Sequence, residues 1–322
     1  MADPTPTNPS PISVAEAPKS PQATGDLAIS HFGRIAPIYD ATSGGASREL
    51  ARYLVDLIDK PISQTSIVLD NAAGTGQVTQ EFLRWVRKYD PVTGKSPMPQ
   101  TMFVVDGSDG MISTAKIQTR EVMTELNLDR DYITKVNFRI LKGEDLHEFK
   151  KNTFWYSFTN AGLLFFGDPV KGATEIFRTL KPGLSTIAVI TTWKRLSYID
   201  IINEAQWFFD NTLPQFKIPI ADEWFTREKL FTTMVAGGLL NVEVHSTTVH
   251  YAFETHRELV DGLINLLPKL MESLDSDSKH IFRNALSWVV QKYEKIIERD
   301  GKRLVGLEME AWVGTGRKFK AS

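Results

Sequence analysis

Asp70, Gly74, Gly76 and Asp106 are the residues of this chain whose types and spacing could do chemistry. Asp70 closes the apolar run Ser66-Ile-Val-Leu-Asp70 and stands at the mouth of the loop Asn71-Ala-Ala-Gly-Thr-Gly76. Missing side chains in such a loop let a ligand reach the backbone. A carboxylate at its mouth repels a phosphate and attracts an ammonium group. Asp106 ends a second apolar run, Thr101-Met-Phe-Val-Val105, where an acid can accept from two ribose hydroxyls. Glu144 or Asp145, after a third run over 136–141, could accept from an adenine amino group. A single loop acid is ordinarily just solvated. Three acids at three successive strand ends point to one ligand with an adenosine end and a cationic amino-acid end.

Other nucleotide chemistries fit less well. Gly74-Thr-Gly-Gln-Val-Thr79 lacks the third glycine of the dinucleotide fingerprint, and the chain has no phosphate loop ending in Gly-Lys followed by Ser or Thr. S-adenosylmethionine has the adenosine and the cationic amino acid that the acids call for. Met111 follows at a helix start, with Ser108 or Asp109 as its cap, where it can pack on an adenine face.

The elements that must hold these residues alternate between periods of two and of 3.6 residues. Val78, Phe82, Trp85 and Val86 predict a helix from 77 to 88, directly after the glycine loop. Further strands are predicted over 154–159 and 184–192, with a helix over 170–180 between them that stops at Lys181-Pro-Gly183. Thr226 caps another helix ahead of a strand over 239–251, and 308–317 reads as the last strand. Between those two strands, Thr255-His-Arg-Glu258 is a capping box opening a helix that Pro268 bends or breaks. Asp275 caps a further helix with Ile281, Ala285, Trp288, Val289, Lys292 and Ile296 on one face.

With these motifs in place, the chain resembles the class I S-adenosylmethionine-dependent methyltransferases, in the branch that includes the ubiquinone-biosynthesis type. The resemblance is carried by His31-Phe-Gly-Arg-Ile-Ala-Pro-Ile-Tyr-Asp40, Phe165-Phe-Gly-Asp-Pro169, Glu175-Ile-Phe-Arg-Thr-Leu-Lys-Pro-Gly183 and Thr191-Thr-Trp193. It implies an α/β fold: a Rossmann-like, seven-stranded, mostly parallel sheet with helices on both faces, an antiparallel last strand and helical insertions forming a substrate lid. It further implies cofactor-binding roles for Tyr39, Asp70, Asn71, Ala72, Gly74, Gly76, Asp106, Gly107, Met111, Glu144, Asp145, Leu146 and Asn160. Two departures stand out: Ala72 where the family usually has glycine, and Gly183-Leu184 in place of a double glycine. Alanine at 72 costs little at negative φ, and a tolerated replacement is the expectation.

Residues 194–225 and 252–303 exceed what the sheet needs, and the first is rich in aromatics. Either these rings anchor the insertion to the core, or they form a lid over an apolar acceptor. The lid reading puts Phe166, Trp193, Trp207, Phe208 and Trp224 against the substrate. His31 is the first candidate for a general base, since the opening helix of such enzymes covers the cofactor. Thiolate or free-amine acceptors need no protein base.

The expected reaction is in-line methyl transfer to sulfur, oxygen or nitrogen of a small, largely apolar natural product. The insertions resemble those of fungal natural-product enzymes, including those that methylate the thiols of reduced epipolythiodioxopiperazines such as gliotoxin. The alternative is a regulator or pericyclic catalyst that binds the cofactor without transferring methyl. An undamaged set of Asp70, Gly74, Gly76 and Asp106 favours the transferase.

Composition agrees with an ordinary soluble enzyme. The 322 residues, 42% of them hydrophobic, can bury a large core. Zero cysteines exclude disulfides, thiolate catalysis and thiolate metal sites, and no metal is expected. A net charge of −2 gives no general attraction to nucleic acid or anionic membrane. The expected partner is a small-molecule substrate, for a cytoplasmic monomer or weak homodimer. Residues 1–28, rich in Pro, Ser, Thr and Ala, read as a disordered tail ahead of one domain over 29–322.

Overall fold

A computed structural model describes residues 21–58, 62–89, 99–128 and 130–320. Its centre is a sheet of eight strands in the order β3-β2-β1-β4-β5-β8-β6, with β7 paired to β8. The strands are β1 (Ile67–Asn71), β2 (Thr101–Asp106), β3 (Val136–Ile140), β4 (Tyr156–Thr159), β5 (Ile187–Arg195), β6 (Leu240–Phe253), β7 (Lys295–Arg299) and β8 (Lys302–Arg317). β1 to β5 run parallel, and β8 lies antiparallel between β5 and β6. The expected parallel sheet and antiparallel last strand are therefore present, but the strand count is eight rather than seven. The extra strand is β7, the first arm of a hairpin that turns at Asp300-Gly301, both with positive φ.

Helices cover both faces. In chain order they are α1 (Pro21–Ile35), α2 (Tyr39–Thr42), α3 (Ala46–Asp56), α4 (Gln77–Tyr89), α5 (Asp109–Glu125), α6 (Arg130–Lys135), α7 (Pro169–Thr179), α8 (Ser197–Phe209), α9 (Arg227–Ala236), α10 (His256–Ile264), α11 (Pro268–Ser273) and α12 (Ser276–Tyr293). The larger core joins β1, β2 and β4 to α3, α4, α8, α10 and α12 through Leu50, Phe82, Phe158, Ile202 and Phe282, all buried. A second core packs α7 and α9 on the other face through Ile176, Leu230 and Met234. A third, around Leu69, Leu146 and Phe154, closes the β1–β2 end. Continuous apolar strands such as β4 follow from burial on both faces.

Local signals set the helix starts. Ser108, rather than Asp109, caps α5 and accepts from the Met111 amide. Asp168 caps α7 with proline in its first turn, Thr226 caps α9, and Asp275 caps α12. The Thr255–Glu258 capping box opens α10, and Pro268 starts the separate helix α11.

Two boundaries depart from expectation. Helix α1 begins at Pro21, so the reading of 21–28 as tail is corrected; residues 1–20 lie outside the described residues. Helix α12 ends at Tyr293, which moves Ile296 from a helix face into β7. Ile281 and Trp288 are exposed, and the buried stripe is instead Phe282, Leu286, Val289 and Val290.

Candidate active site

Strand order reverses between β1 and β4, and at that switch point an open α/β sheet binds its ligand beyond the strand carboxyl ends. β1 ends in the buried pair Asp70 and Asn71, and the chain then turns through Ala72 (φ 54°), Gly74 (55°) and Gly76 (81°) into α4. The Ala73 amide donates to the Val105 carbonyl at 2.9 Å, fastening the loop to β2. A side chain added at Gly74 would meet nothing within 4 Å, so the loop presents bare backbone to open space. One at Gly76 would fall 3.1 Å from the Ala115 methyl, because α4 and α5 pack closely there. Ala72 corrects an expectation: its φ is positive, which costs an alanine roughly 1–2 kcal/mol.

The carboxylate of Asp70 is divided. Oδ2 accepts from the Thr79 amide at 3.0 Å and from Thr79 Oγ1 at 2.6 Å, in the first turn of α4. Oδ1 is buried and has no hydrogen-bond partner among the described residues. Burial pushes Asp70 up to about 7, against the two Thr79 bonds that favour the charged form. An unpaired, buried carboxylate oxygen is a site for a donor, and a cationic donor would lower that pKa again.

Asp106 is raised by burial too, while its bonds to Gly74 and Ser108 oppose the shift. Oδ2 accepts from the Gly74 amide at 2.9 Å and Oδ1 from the Ser108 amide at 2.8 Å. One side chain thus holds the glycine loop against the start of α5. Each oxygen keeps a second lone pair for a hydroxyl donor.

The other expected cofactor residues divide into groups. Met111 is buried in the first turn of α5. Asn71 Nδ2 donates to the Gly143 carbonyl at 3.2 Å, and its Oδ1 is unpartnered among the described residues. Asn160 donates to the Ser47 carbonyl at 3.0 Å and accepts from Thr191 Oγ1 at 2.9 Å, tying α3 to the ends of β4 and β5. Tyr39 Oη lies 3.4 Å from Ser47 Oγ; burial chiefly raises its pKa, and Asp40 and Asp106 add to the rise. Glu144 is spent on the Gly167 amide at 3.1 Å, and Leu146 is a core residue whose amide donates to Glu175. Asp145 sits in solvent beside His147, 3.2 Å away, which removes it as an adenine acceptor.

The acceptor-side expectations change more. Trp207 and Phe208 are 62% and 48% exposed, because α8 buries Ile201, Ile202 and Ala205 instead. Phe208 stacks edge-on with Trp207 and Trp288 on the outer surface. Trp224 is buried in the second core with Lys229 over its ring, an anchor rather than a pocket wall. Phe166 lies between Gly143 and Gly172, where added Cβ atoms would fall 2.0 and 2.4 Å from its ring atoms. Trp193, at the end of β5, touches both main cores.

Helix α1 lies across the mouth of this crevice. Added Cβ atoms at Gly25, Gly107 and Gly33 would meet the Gly167 amide at 2.9 Å, Ile29 Cδ1 at 2.8 Å and Ser108 Oγ at 2.8 Å. Gly25, Ile29 and Gly33 recur every four residues, so they share one face. His31 is two residues from both Ile29 and Gly33, on the opposite face and exposed, with its ring 5.4 Å from that of Phe32. It is not turned toward the acid cluster, so the general-base expectation has no geometric support.

Two residues were missed. Asp40 Oδ1 accepts from Thr75 Oγ1 at 2.6 Å and Gln77 Nε2 at 2.7 Å, clamping α2 onto the glycine loop. Its only signal was its place at the end of the His31–Asp40 motif. Tyr198 opens α8 beside Tyr251, ring centroids 5.6 Å apart. Burial holds its phenol neutral, and the neighbouring Tyr39 raises it further.

A profile of the ubiE/COQ5 methyltransferase family matches residues 32–231. The chain belongs to this family. The methyltransferase also superposes on solved structures. Over 94% of its own chain and 97% of the other, it matches the [4+2]-cyclase SpnF with TM-score 0.52 and 16% identity. A Haemonchus contortus phosphoethanolamine N-methyltransferase 2, crystallised with phosphomonomethylethanolamine and S-adenosylhomocysteine, gives TM-score 0.49 and 14% identity over 94% and 60% of the two chains. A geranyl diphosphate methyltransferase in complex with GPP and sinefungin gives 0.43 and 16% over 84% and 78%. At such identities the likeness is one of fold. A search of curated proteins finds no match.

The protein is an S-adenosylmethionine-dependent methyltransferase. Its residues fit the cofactor: a buried carboxylate oxygen without a donor at Asp70, a second acid at the next strand end, and bare backbone at Gly74. No helix among the described residues is long and apolar enough to cross a membrane.

Proposed function

We propose that this methyltransferase transfers the methyl group of S-adenosylmethionine to a small, largely apolar acceptor through sulfur, oxygen or nitrogen. The observation that carries the reading is the unpaired Oδ1 of Asp70 at the switch point of the sheet. In this reading Asp70 Oδ1 accepts the amino-acid ammonium and Asp106 the ribose hydroxyls. The cofactor, when bound, supplies a methyl carbon already activated by a sulfonium. The chain's own part is then to bind, align and keep water out. Asp40 holds the glycine loop in place, and the α1 face of Gly25, Ile29 and Gly33 covers it. Alignment of this kind is worth several kcal/mol, about 7–11 in favourable intramolecular cases.

The acceptor side is aromatic. Trp193 and Tyr198 follow the end of β5, and burial keeps the Tyr198 and Tyr251 phenols neutral. Such walls favour an apolar acceptor without formal charge. With His31 turned outward, an acceptor that supplies its own nucleophile, such as a thiolate or free amine, fits best. A fungal natural-product dithiol is the finer form of this reading, supported by the resemblance of the insertion segments.

Incubation with methyl-labelled S-adenosylmethionine and a panel of apolar thiols, amines and phenols tests the proposal. Label is expected in a thiol or amine product. Tight cofactor binding with no transfer to any acceptor class would favour the non-transferring alternative.

A further inference from the structure

Two alanines next to the switch point hold left-handed backbone: Ala72, just after β1, at φ 54°, and Ala161, just beyond β4, at φ 50°. The second is explained by its bonds. Its amide donates to Thr191 Oγ1 at 2.8 Å, and that hydroxyl donates to Asn160 Oδ1 at 2.9 Å, so the turn is over-determined. Ala72 is matched instead by an absence opposite it. A Cβ at Gly162 would fall 2.5 Å from the Ala72 methyl, 3.3 Å from Thr159 Cγ2 and 3.7 Å from the Ala72 carbonyl oxygen. Residue 162 therefore goes without a side chain so that residue 72 can keep one. A turn needing only its shape would be unstrained with glycine at 72 and would leave 162 free. Strain retained in a binding crevice is a pointer to function.

We infer that Ala72 is a positioning residue: across from Gly162, its methyl forms the wall that seats the sulfonium end of S-adenosylmethionine between β1 and β4. The inference rests on the cofactor reading above. It assigns the methyl to the ligand rather than to the fold, so it separates S-adenosylmethionine from S-adenosylhomocysteine, which differ at that sulfur alone.

The test uses the full chain, as wild type, Ala72→Gly, Gly162→Ala and the double variant, with melting temperature and calorimetric affinity for both ligands. Ala72→Gly is expected to melt at or above the wild-type temperature, because strain is released. Its affinity for S-adenosylmethionine should fall about fourfold, the value of one buried methyl group, with a smaller change for S-adenosylhomocysteine. Gly162→Ala alone should melt early, and adding Ala72→Gly should restore stability but not the wild-type ratio of the two affinities. Equal shifts for both ligands, no shift in Ala72→Gly, or a ratio restored in the double variant would make the methyl a space filler and overturn the inference. Wild-type protein that binds neither ligand would overturn the cofactor reading itself.

Discussion

Asp70 and Thr79 are joined twice, through the amide at 3.0 Å and the hydroxyl at 2.6 Å, and both bonds end on the same carboxylate oxygen. The acid is thereby fixed to the first turn of α4 while its second oxygen is left for a ligand. Structural and binding duties share one side chain. Substitutions at single residues separate such duties.

Asp106→Ala removes a charged acceptor and also releases the Gly74 and Ser108 amides. Losing a hydrogen bond to a charged group costs about 1.5–3 kcal/mol, or one to two decades in affinity. Calorimetry with S-adenosylhomocysteine should show that loss. Unchanged affinity would remove Asp106 from the ribose site.

Asp40→Ala unfastens α2 from Thr75 and Gln77. The loop then loses its pre-set shape, and S-adenosylhomocysteine affinity should fall by about a decade, near 1.4 kcal/mol. Because Asp40 is half-buried, the melting temperature should move only a few degrees. A large fall in stability with unaltered affinity would mean that the clamp serves the fold alone.

Trp224→Ala and Trp207→Ala should behave oppositely. Trp224 is buried in the second core, and its truncation should cost roughly 3–5 kcal/mol. Trp207 is exposed on α8, so its truncation should stay within about 0.5 kcal/mol and leave the acceptor KM unaltered. Denaturant melts and steady-state kinetics decide both. A raised acceptor KM in Trp207→Ala would restore the lid reading for that face.

The sheet and its acid-tipped strands were readable because buried parallel strands are short apolar runs with sharp ends, as at Leu69-Asp70 and Val105-Asp106. Cap residues Ser108, Thr226, Thr255 and Asp275 were equally visible, being side chains that bond within three positions. What failed depended on long-range packing. Lys295-Ile-Ile-Glu-Arg299 continues the helical spacing of α12, and only pairing with β8 makes it a strand. Pro21 to Ala28 is too polar and too small to form a helix by pattern, yet its Gly25 lies against Gly167, where small size is an advantage. Trp207 and Trp224 look alike in sequence, and which one is buried depends on how α8 and the turn before α9 meet the sheet. The sign of φ at Ala72 was likewise out of reach, since it is set by the space left at Gly162.

The pH dependence of the ligand-free fold follows from Asp70. Its pKa rises from 3.8 for a free side chain to about 7 in the folded chain, so between those values the folded state holds a proton that the unfolded state has lost. Its burial penalty is thus complete above pH 7 and is relieved as pH falls toward 4. Thermal melts should show wild type gaining stability relative to Asp70→Asn as pH is lowered from 8 to 5. The reverse trend would mean that Asp70 is charged and satisfied in the free protein.

Calorimetric titration of S-adenosylmethionine between pH 5.5 and 8.5, in wild type and Asp70→Asn, is the most direct test of the central claim that Asp70 Oδ1 receives the cofactor ammonium. Below about pH 7 binding must expel the Asp70 proton, so wild-type affinity should rise with pH, at most tenfold per unit. It should level off near 7 and fall again as the α-amino group loses its own proton, at about 8. Asp70→Asn should bind one to two decades more weakly at pH 7.5 and lose the rise below 7. Equal affinities for the two proteins, with the same pH profile, would contradict the account.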